Sequence, residues 1–323
     1  MNLRQKLYQM FILGLDGGGY KKALAEGLGG VIFFTKDIQS SMQFKSLTGE
    51  IKSQALIAPF LSIDQEGGRV ERTENIHNGK KYLSAKYAYE KGLDFLKNQT
   101  EEIAKELQSY GVNMNFAPCI DVNTNPDNPI IGERAFSDKV EDVIEAQTIV
   151  TQAYRSNCII PCAKHFPGHG DANADSHLTL PEINLSLKEM EQIHIKPFAD
   201  AVKNGIETIM AAHLHCTCFE VENIPASLSK NAINYLRENL GFDGVVISDD
   251  MVMKGVAGFG IQEACEMGIR AGLNMFIFRN STSEIINMID NLAQKAKTDI
   301  ELLEKIEDSY SKIMALKAKF KLL

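Results

Sequence analysis

A chain of 323 residues can bury a large core, and α/β barrels of this size fold as one unit, so length does not demand two domains. The net charge of -8 and pI near 5.5, with both signs interspersed, argue against a nucleic-acid surface or an anionic membrane. Six cysteines show neither CxxC pairs nor zinc-finger spacing, which reads as reduced thiols, and no segment approaches the ~20 apolar residues of a membrane span. The opening MNLRQKLYQMFILG has no small-residue cleavage site, so a cytoplasmic protein is expected.

Taken in order, apolar β-rich runs alternate with amphipathic segments. Strand candidates are Met10-Phe11-Ile12, Val31-Ile32-Phe33-Phe34, Phe60-Leu61-Ser62-Ile63 and Asn113-Met114-Asn115-Phe116. Four more follow at Ile159 to Ala163, Thr208 to Ala211, Gly244 to Ile247 and Met275 to Phe278. Helices are expected from Gln99 to Tyr110, stopped by Gly111, and from Val140 to Ser156. Another starts at Leu187, where Ser186 and Glu189 have capping-box spacing, and Pro197 kinks or restarts it. Apolar strands alternating with helices indicate parallel βα units, because a strand covered on both faces has no side left for polar residues. Eight such strands predict a closed (β/α)₈ TIM barrel, one domain over 1–323, with a charged amphipathic helix over about 299–323 packed outside. The rival is an open doubly wound sheet. It is disfavoured because Gly14-Leu15-Asp16-Gly17-Gly18-Gly19 is not a GxGxxG turn and no GxxxxGK[ST] loop occurs, so no nucleotide cofactor is expected.

A barrel gathers its chemistry at the C-terminal ends of its strands. Those ends carry Asp64-Gln65-Glu66-Gly67-Gly68-Arg69, then Pro118 and Asp121-Val122-Asn123, then Lys164-His165, His213, and Ser248-Asp249-Asp250. The densest stretch is KHFPGHGDANADSH, Lys164 to His177. Its Asp175 and His177 have the i, i+2 spacing with which a carboxylate can orient an imidazole and raise its basicity, a proton-transfer pair. Gly168 and Gly170 would let this loop close over a ligand. Of the adjacent Asp249 and Asp250 only one can face the axis, as nucleophile, metal ligand or structural cap with equal claim. His165, His169, Asp171, Asp175 and His177 are ligand types for zinc or iron, yet Pro167 and Gly168 break the helix an HxxxH pair needs, so no metal is expected. His169, His194 and His215 read as structural, His213 as packed or site-lining, and Glu66, Asp121 and Asp250 as turn, network or cation-binding residues. A carboxylate opposite a His-Asp pair, with Asp64, Arg134 and Lys164 around them, suits a polyol and double displacement at an acetal carbon.

Five stretches in order carry a family resemblance: IDQEGGRVER (Ile63 to Arg72), NFAPCIDVNTNP (Asn115 to Pro126), IGERAF (Ile131 to Phe136), KHFPGHG followed four residues later by Asp-Ser-His, and GFDGVVISDDM (Gly241 to Met251). Together they resemble the β-N-acetylglucosaminidases of glycoside hydrolase family 3, and the Asp-x-His loop separates this branch from the family's β-glucosidases. The resemblance implies a single (β/α)₈ domain that removes terminal β-linked N-acetylglucosamine with retention of configuration. It places the nucleophile on Asp249, the acid/base on His177, its supporting carboxylate on Asp175, and sugar contacts on Asp64, Arg72, Arg134, Lys164 and His165. It further implies a carbohydrate partner, N-acetylglucosaminyl-anhydromuramyl peptides from cell-wall recycling, with neither nucleic acid nor membrane. A phosphorylase is the second enzyme reading, because a histidine acid/base adds no second carboxylate to repel phosphate. A sugar-binding barrel without catalysis is the third. Two stretches depart from the family pattern: the segment after Arg72, TENIHNGKKYLSAKYAYE, lacks the usual leucine-proline, and the eighth strand ends in Phe278-Arg279-Asn280, bulkier and more basic than expected.

Overall fold

The computed structural model describes residues 1–77, 79–172 and 180–323. Among these, ten strands form: β1 (Phe11–Asp16), β2 (Gly30–Phe33), β3 (Phe60–Ile63), β4 (Met114–Asn115), β5 (Ile160–Phe166), β6 (Glu182–Ile183), β7 (Thr208–Ala211), β8 (His215–Cys216), β9 (Val245–Asp250) and β10 (Met275–Asn280). Eight of them close a parallel barrel in the order β1-β10-β9-β7-β5-β4-β3-β2, and β6 and β8 pair separately. The (β/α)₈ architecture is the one the alternation predicts. β2, β3, β5 and β7 are buried along their whole length, as expected for Val-, Ile- and Phe-rich strands covered by helices on one face and by barrel interior on the other.

Several barrel strands run further toward the mouth than the apolar pattern marks. β5 continues to Phe166, β9 to Asp250 and β10 to Asn280. Lys164, His165, Asp249 and Arg279 therefore sit on strands, whose backbone hydrogen bonds fix side-chain direction better than a loop would. The helix before β4 spans Leu93–Ser109, starting earlier than Gln99 because the break comes at Gly92 (φ 102°) and Leu96 already faces the core. Val140–Ser156 is helical as read. Pro197 restarts rather than kinks its helix: Leu187–Gln192 carries the Ser186/Glu189 capping box, and a second helix, Lys196–Lys203, holds the proline in its first turn, where a missing N–H costs no bond.

The last helix, Ile300–Lys319, is capped by Asp299, which accepts from the Leu302 amide at 3.0 Å, and it packs on Leu3–Tyr8 and Ile261–Ala271. Its Lys317 is fully buried. The ammonium donates to Gln9 Oε1 at 2.7 Å and lies 4.9 Å from the Phe60 ring centroid, while Gln9 Nε2 donates to the Gly27 carbonyl at 2.6 Å. Burial pushes Lys317 down to about 7. No helix is long and apolar enough to cross a membrane among the described residues.

Candidate active site

The barrel mouth opens into a cavity of about 500 Å³ whose wall includes Phe34, Lys36, Asp64, Arg72, Asp249 and Arg279. The side chains follow from strand alternation. Ser248 is buried, its Oγ accepting from the Ile277 amide at 3.1 Å, so Asp249 turns the other way. Asp250 also reaches the cavity wall, but its Oδ1 accepts from the Val252 and Arg279 amides at 3.1 and 3.2 Å and its Oδ2 from the Arg279 guanidinium. It binds backbone and a cation, as read. Burial alone would raise the Asp249 carboxyl. The His165 and His213 rings, the Asp250 amide at 2.7 Å and Lys164 outweigh that and hold it below the usual carboxylate range. Asp249 is thus ionised at neutral pH, the state a nucleophile or a counter-charge to an oxocarbenium ion requires.

Beside it runs a chain of alternating charge. Lys164 Nζ lies 2.8 Å from Asp64 Oδ1 and 2.6 Å from Glu66 Oε1. Glu66 accepts two hydrogen bonds from Arg134, Nε at 2.9 Å and Nη2 at 2.8 Å. Arg134 Nη2 in turn stands 3.3 Å from His165 Nε2, and His165 Nδ1 is 2.7 Å from Asp121 Oδ2. Because a guanidinium can only donate, His165 Nε2 accepts and Nδ1 carries the proton toward Asp121; the tautomer is assigned from this network. Desolvation would raise Glu66, yet Arg134 and Lys164 drive it well below the carboxylate range, and His165 together with the His169 amide does the same for Asp121. In exchange Arg134 and Lys164 are held above their ordinary values despite burial. The network is a preformed set of fixed dipoles and charges, suited to orienting a polyol.

The pair expected at Asp175 and His177 lies outside the described residues. The chain leading there is tied down by close contact. Gly170 has no room for a side chain, since a Cβ would fall 1.7 Å from the Val122 carbonyl oxygen, and at Gly168 (φ +121°) it would fall 2.6 Å from His194 Cβ. Close packing by itself requires glycine at both positions. Thr124 Oγ1 donates to Asp171 Oδ1 at 3.0 Å, and on the far side the His215 amide donates to the Pro181 carbonyl at 2.8 Å. His169 anchors the loop through its amide, 2.6 Å from Asp121 Oδ1, while its buried ring is pushed down to about 4 by desolvation. His213 is packed, its Nδ1 2.7 Å from Ser227 Oγ, and its ring stands near Asp249: burial pulls its pKa down while that carboxylate pulls it up. Cys119, Asp121 and His165 bring three ligand types within 4.8 Å of one another. The thiol donates to Asp121 at 3.2 Å and Arg134 stands against His165, so the cluster is satisfied by hydrogen bonds with a cation already beside it.

Glu66, read from the sequence as a turn or network residue, is the carboxylate that joins Arg134 to Lys164. A charge count within the motifs agrees with that role: two buried cations, Arg134 and Lys164, need a second carboxylate beside Asp64.

Residues 2–316 match the glycosyl hydrolase family 3 N-terminal domain. The chain belongs to glycosyl hydrolase family 3. All five family 3 stretches meet at the barrel mouth, supplying Asp64, Glu66 and Arg72, then Asp121, Arg134, Lys164 with His165, and Asp249. The β-hexosaminidase A of Pseudoalteromonas piscicida is 31% identical over 320 residues, covering 90% of this chain and 53% of that protein. A β-hexosaminidase of Neisseria meningitidis serogroup C is 32% identical over 268 residues, covering 80% and 73% respectively. The structure of a family 3 β-N-acetylglucosaminidase from Paenibacillus sp. superposes with a TM-score of 0.93 at 30% identity, over 100% of this chain and 63% of that one. The chain thus spans from about half to about three quarters of the length of these relatives.

Proposed function

We propose that the protein is a retaining exo-β-N-acetylglucosaminidase. The observation that carries this reading is an ionised Asp249 sharing one cavity with Asp64 and Arg72, with Asp64 locked to Lys164. The names of the relatives, β-hexosaminidase and β-N-acetylglucosaminidase, support the choice of sugar. Asp249 attacks the anomeric carbon while His177, held by Asp175, protonates the leaving oxygen. The same histidine then deprotonates the water that releases the sugar, so one group serves both halves near neutral pH. Asp64, Arg72 and the Lys164-Glu66-Arg134-His165 chain orient the sugar hydroxyls. A substrate lacking one of those hydroxyls leaves a buried charged group underpaired, which is the source of discrimination. The finer setting, wall fragments with N-acetylglucosamine on an anhydromuramyl peptide inside the cytoplasm, rests on the family resemblance, and six free cysteines suit a reducing compartment.

The test is nitrophenol release from nitrophenyl β-N-acetylglucosaminide against the β-glucoside, with products analysed in phosphate-free and phosphate-containing buffer. Free N-acetylglucosamine from the first substrate alone supports the reading. Turnover of both sugars at equal rates, or of neither, removes it.

A further inference from the structure

A second polar cluster, which the proposed mechanism leaves unused, is built around His77, in the stretch after Arg72 that departs from the family pattern. The His77 side chain is 1% exposed and stands between two carboxylates, Nδ1 2.9 Å from Glu71 Oε1 and Nε2 2.8 Å from Glu106 Oε1. The second contact is an aligned hydrogen bond, and the first is a charge contact out of line. The Tyr82 ring closes one side, edge-on at 4.9 Å, and its hydroxyl donates to Glu106 Oε2 at 3.3 Å. An imidazole between them lets two carboxylates share a largely buried pocket, since like charges with nothing between them drive one to protonate. Burial pushes the Glu71 carboxyl up, and His77 is first among the groups that oppose it.

The cluster reaches the cavity through Gln65, which is fully buried. Gln65 Oε1 accepts from the Arg72 amide at 2.7 Å and the Thr73 amide at 3.2 Å, so its Nε2 points the other way and donates to Glu71 Oε1 at 3.2 Å. That orientation holds only while Glu71 accepts. Glu71 also ties the arm to the end of β2, its carbonyl accepting from Thr35 Oγ1 at 3.3 Å. Arg72 has little else to aim it. Its guanidinium carbon lies 6.0 Å from the Phe34 ring centroid, and its Nε is buried with no hydrogen-bond partner among the described residues. The direction of its side chain is therefore set by the backbone that Gln65 and Glu71 hold.

We propose that His77 is a positioning residue for sugar binding, holding Arg72 against the cavity through Glu71 and Gln65. This rests on the glycosidase reading above, with Arg72 as a sugar contact. A histidine that only packs would lower activity by the same factor whether or not Arg72 is present. A histidine that acts through Arg72 loses its effect once that side chain is gone, because the two belong to one network.

The experiment is a double-mutant cycle on nitrophenyl β-N-acetylglucosaminide with His77→Ala, Arg72→Ala and the double variant. His77→Ala is expected to raise KM ~10-fold with kcat within about twofold of wild type, because a misaimed binding group loses ground-state and transition-state contacts alike. In the Arg72→Ala background the same change should alter kcat/KM by less than about twofold. Glu106→Gln keeps His77 in place and should shift KM in the same direction to a smaller extent. Unchanged KM in His77→Ala, or an equal fall in kcat/KM with and without Arg72, overturns the proposal; where His77→Ala does not fold, unchanged KM in Glu106→Gln does the same. Calorimetric titration with N-acetylglucosamine runs the same cycle on Kd. Wild type that binds this sugar but releases no nitrophenol removes the glycosidase reading and leaves the cycle readable, and wild type that does neither removes both.

Discussion

Replacing Glu66 by Gln tests whether the buried charge chain organises the site. The carboxylate is 4% exposed and balances Arg134 at 2.8 Å and Lys164 at 2.6 Å. Gln keeps the shape but turns an amide N–H toward one cation, leaving Lys164 with Asp64 as its one carboxylate partner and Arg134 with the Ile130 carbonyl and His165. Removing one partner of a buried ion pair costs ~3–5 kcal/mol, because the surviving charge stays desolvated. Urea denaturation of wild type and variant at neutral pH should show a loss of that order. The pH dependence has a definite sign. The folded carboxyl titrates below its ordinary value of 4.5, so its stabilisation is present above that value and lost as pH falls through the folded one. The gap between wild type and Glu66→Gln should therefore be full at neutral pH and narrow in acid. Released Arg134 and Lys164 also misplace the sugar, with kcat/KM down ~100-fold, the usual effect of an ångström-scale error. A stability loss under ~1 kcal/mol with unchanged kcat/KM would refute the reasoning.

Lys317 titrates near 7 when folded and near 10.5 when unfolded, so between these values the unfolded chain holds the extra proton and stability rises with pH by ~1.4 kcal/mol per unit. Lys317→Met should be more stable near neutral pH and lose that slope, measured by denaturation across the range; a slope unchanged in the variant would locate the titration elsewhere. Gly170→Ala pushes a methyl into the Val122 carbonyl and should cost ~1–3 kcal/mol or more, read as a lowered midpoint of thermal unfolding, and an unshifted midpoint would contradict the packing account.

The sequence was most legible where one physical cause dominated. β3 at Phe60–Ile63, between Pro59 and Asp64, and β7 at Thr208–Ala211, opening after Glu207, are short apolar runs whose limits coincide with the pattern. β6 and β8 have two residues each, too few for any period to register. The start of Leu93–Ser109 is obscured by the polar run Lys97-Asn98-Gln99, whereas Leu96 already packs on the core. At the site, Asp64, Arg72, Arg134, Lys164, His165 and Asp249 come together through four separated motifs, but pairings among charges are long-range and no local spacing encodes them. Glu66 reads from the sequence as a turn or network residue, but its two cationic partners lie in other motifs. Nor does any local spacing announce His77, which stands buried between Glu71 and Glu106 at 2.9 and 2.8 Å, in the stretch that lacks the family's leucine-proline.

The claim that Asp249 forms a covalent bond to the sugar is tested most directly by mass spectrometry of protein quenched during turnover of a slow, fluorinated N-acetylglucosaminide. The account predicts a mass increase of one fluorinated sugar per chain, carried after proteolysis by the peptide containing Asp249 and absent in Asp249→Ala. A sugar on another residue, or steady turnover by Asp249→Ala at the wild-type rate, would contradict it.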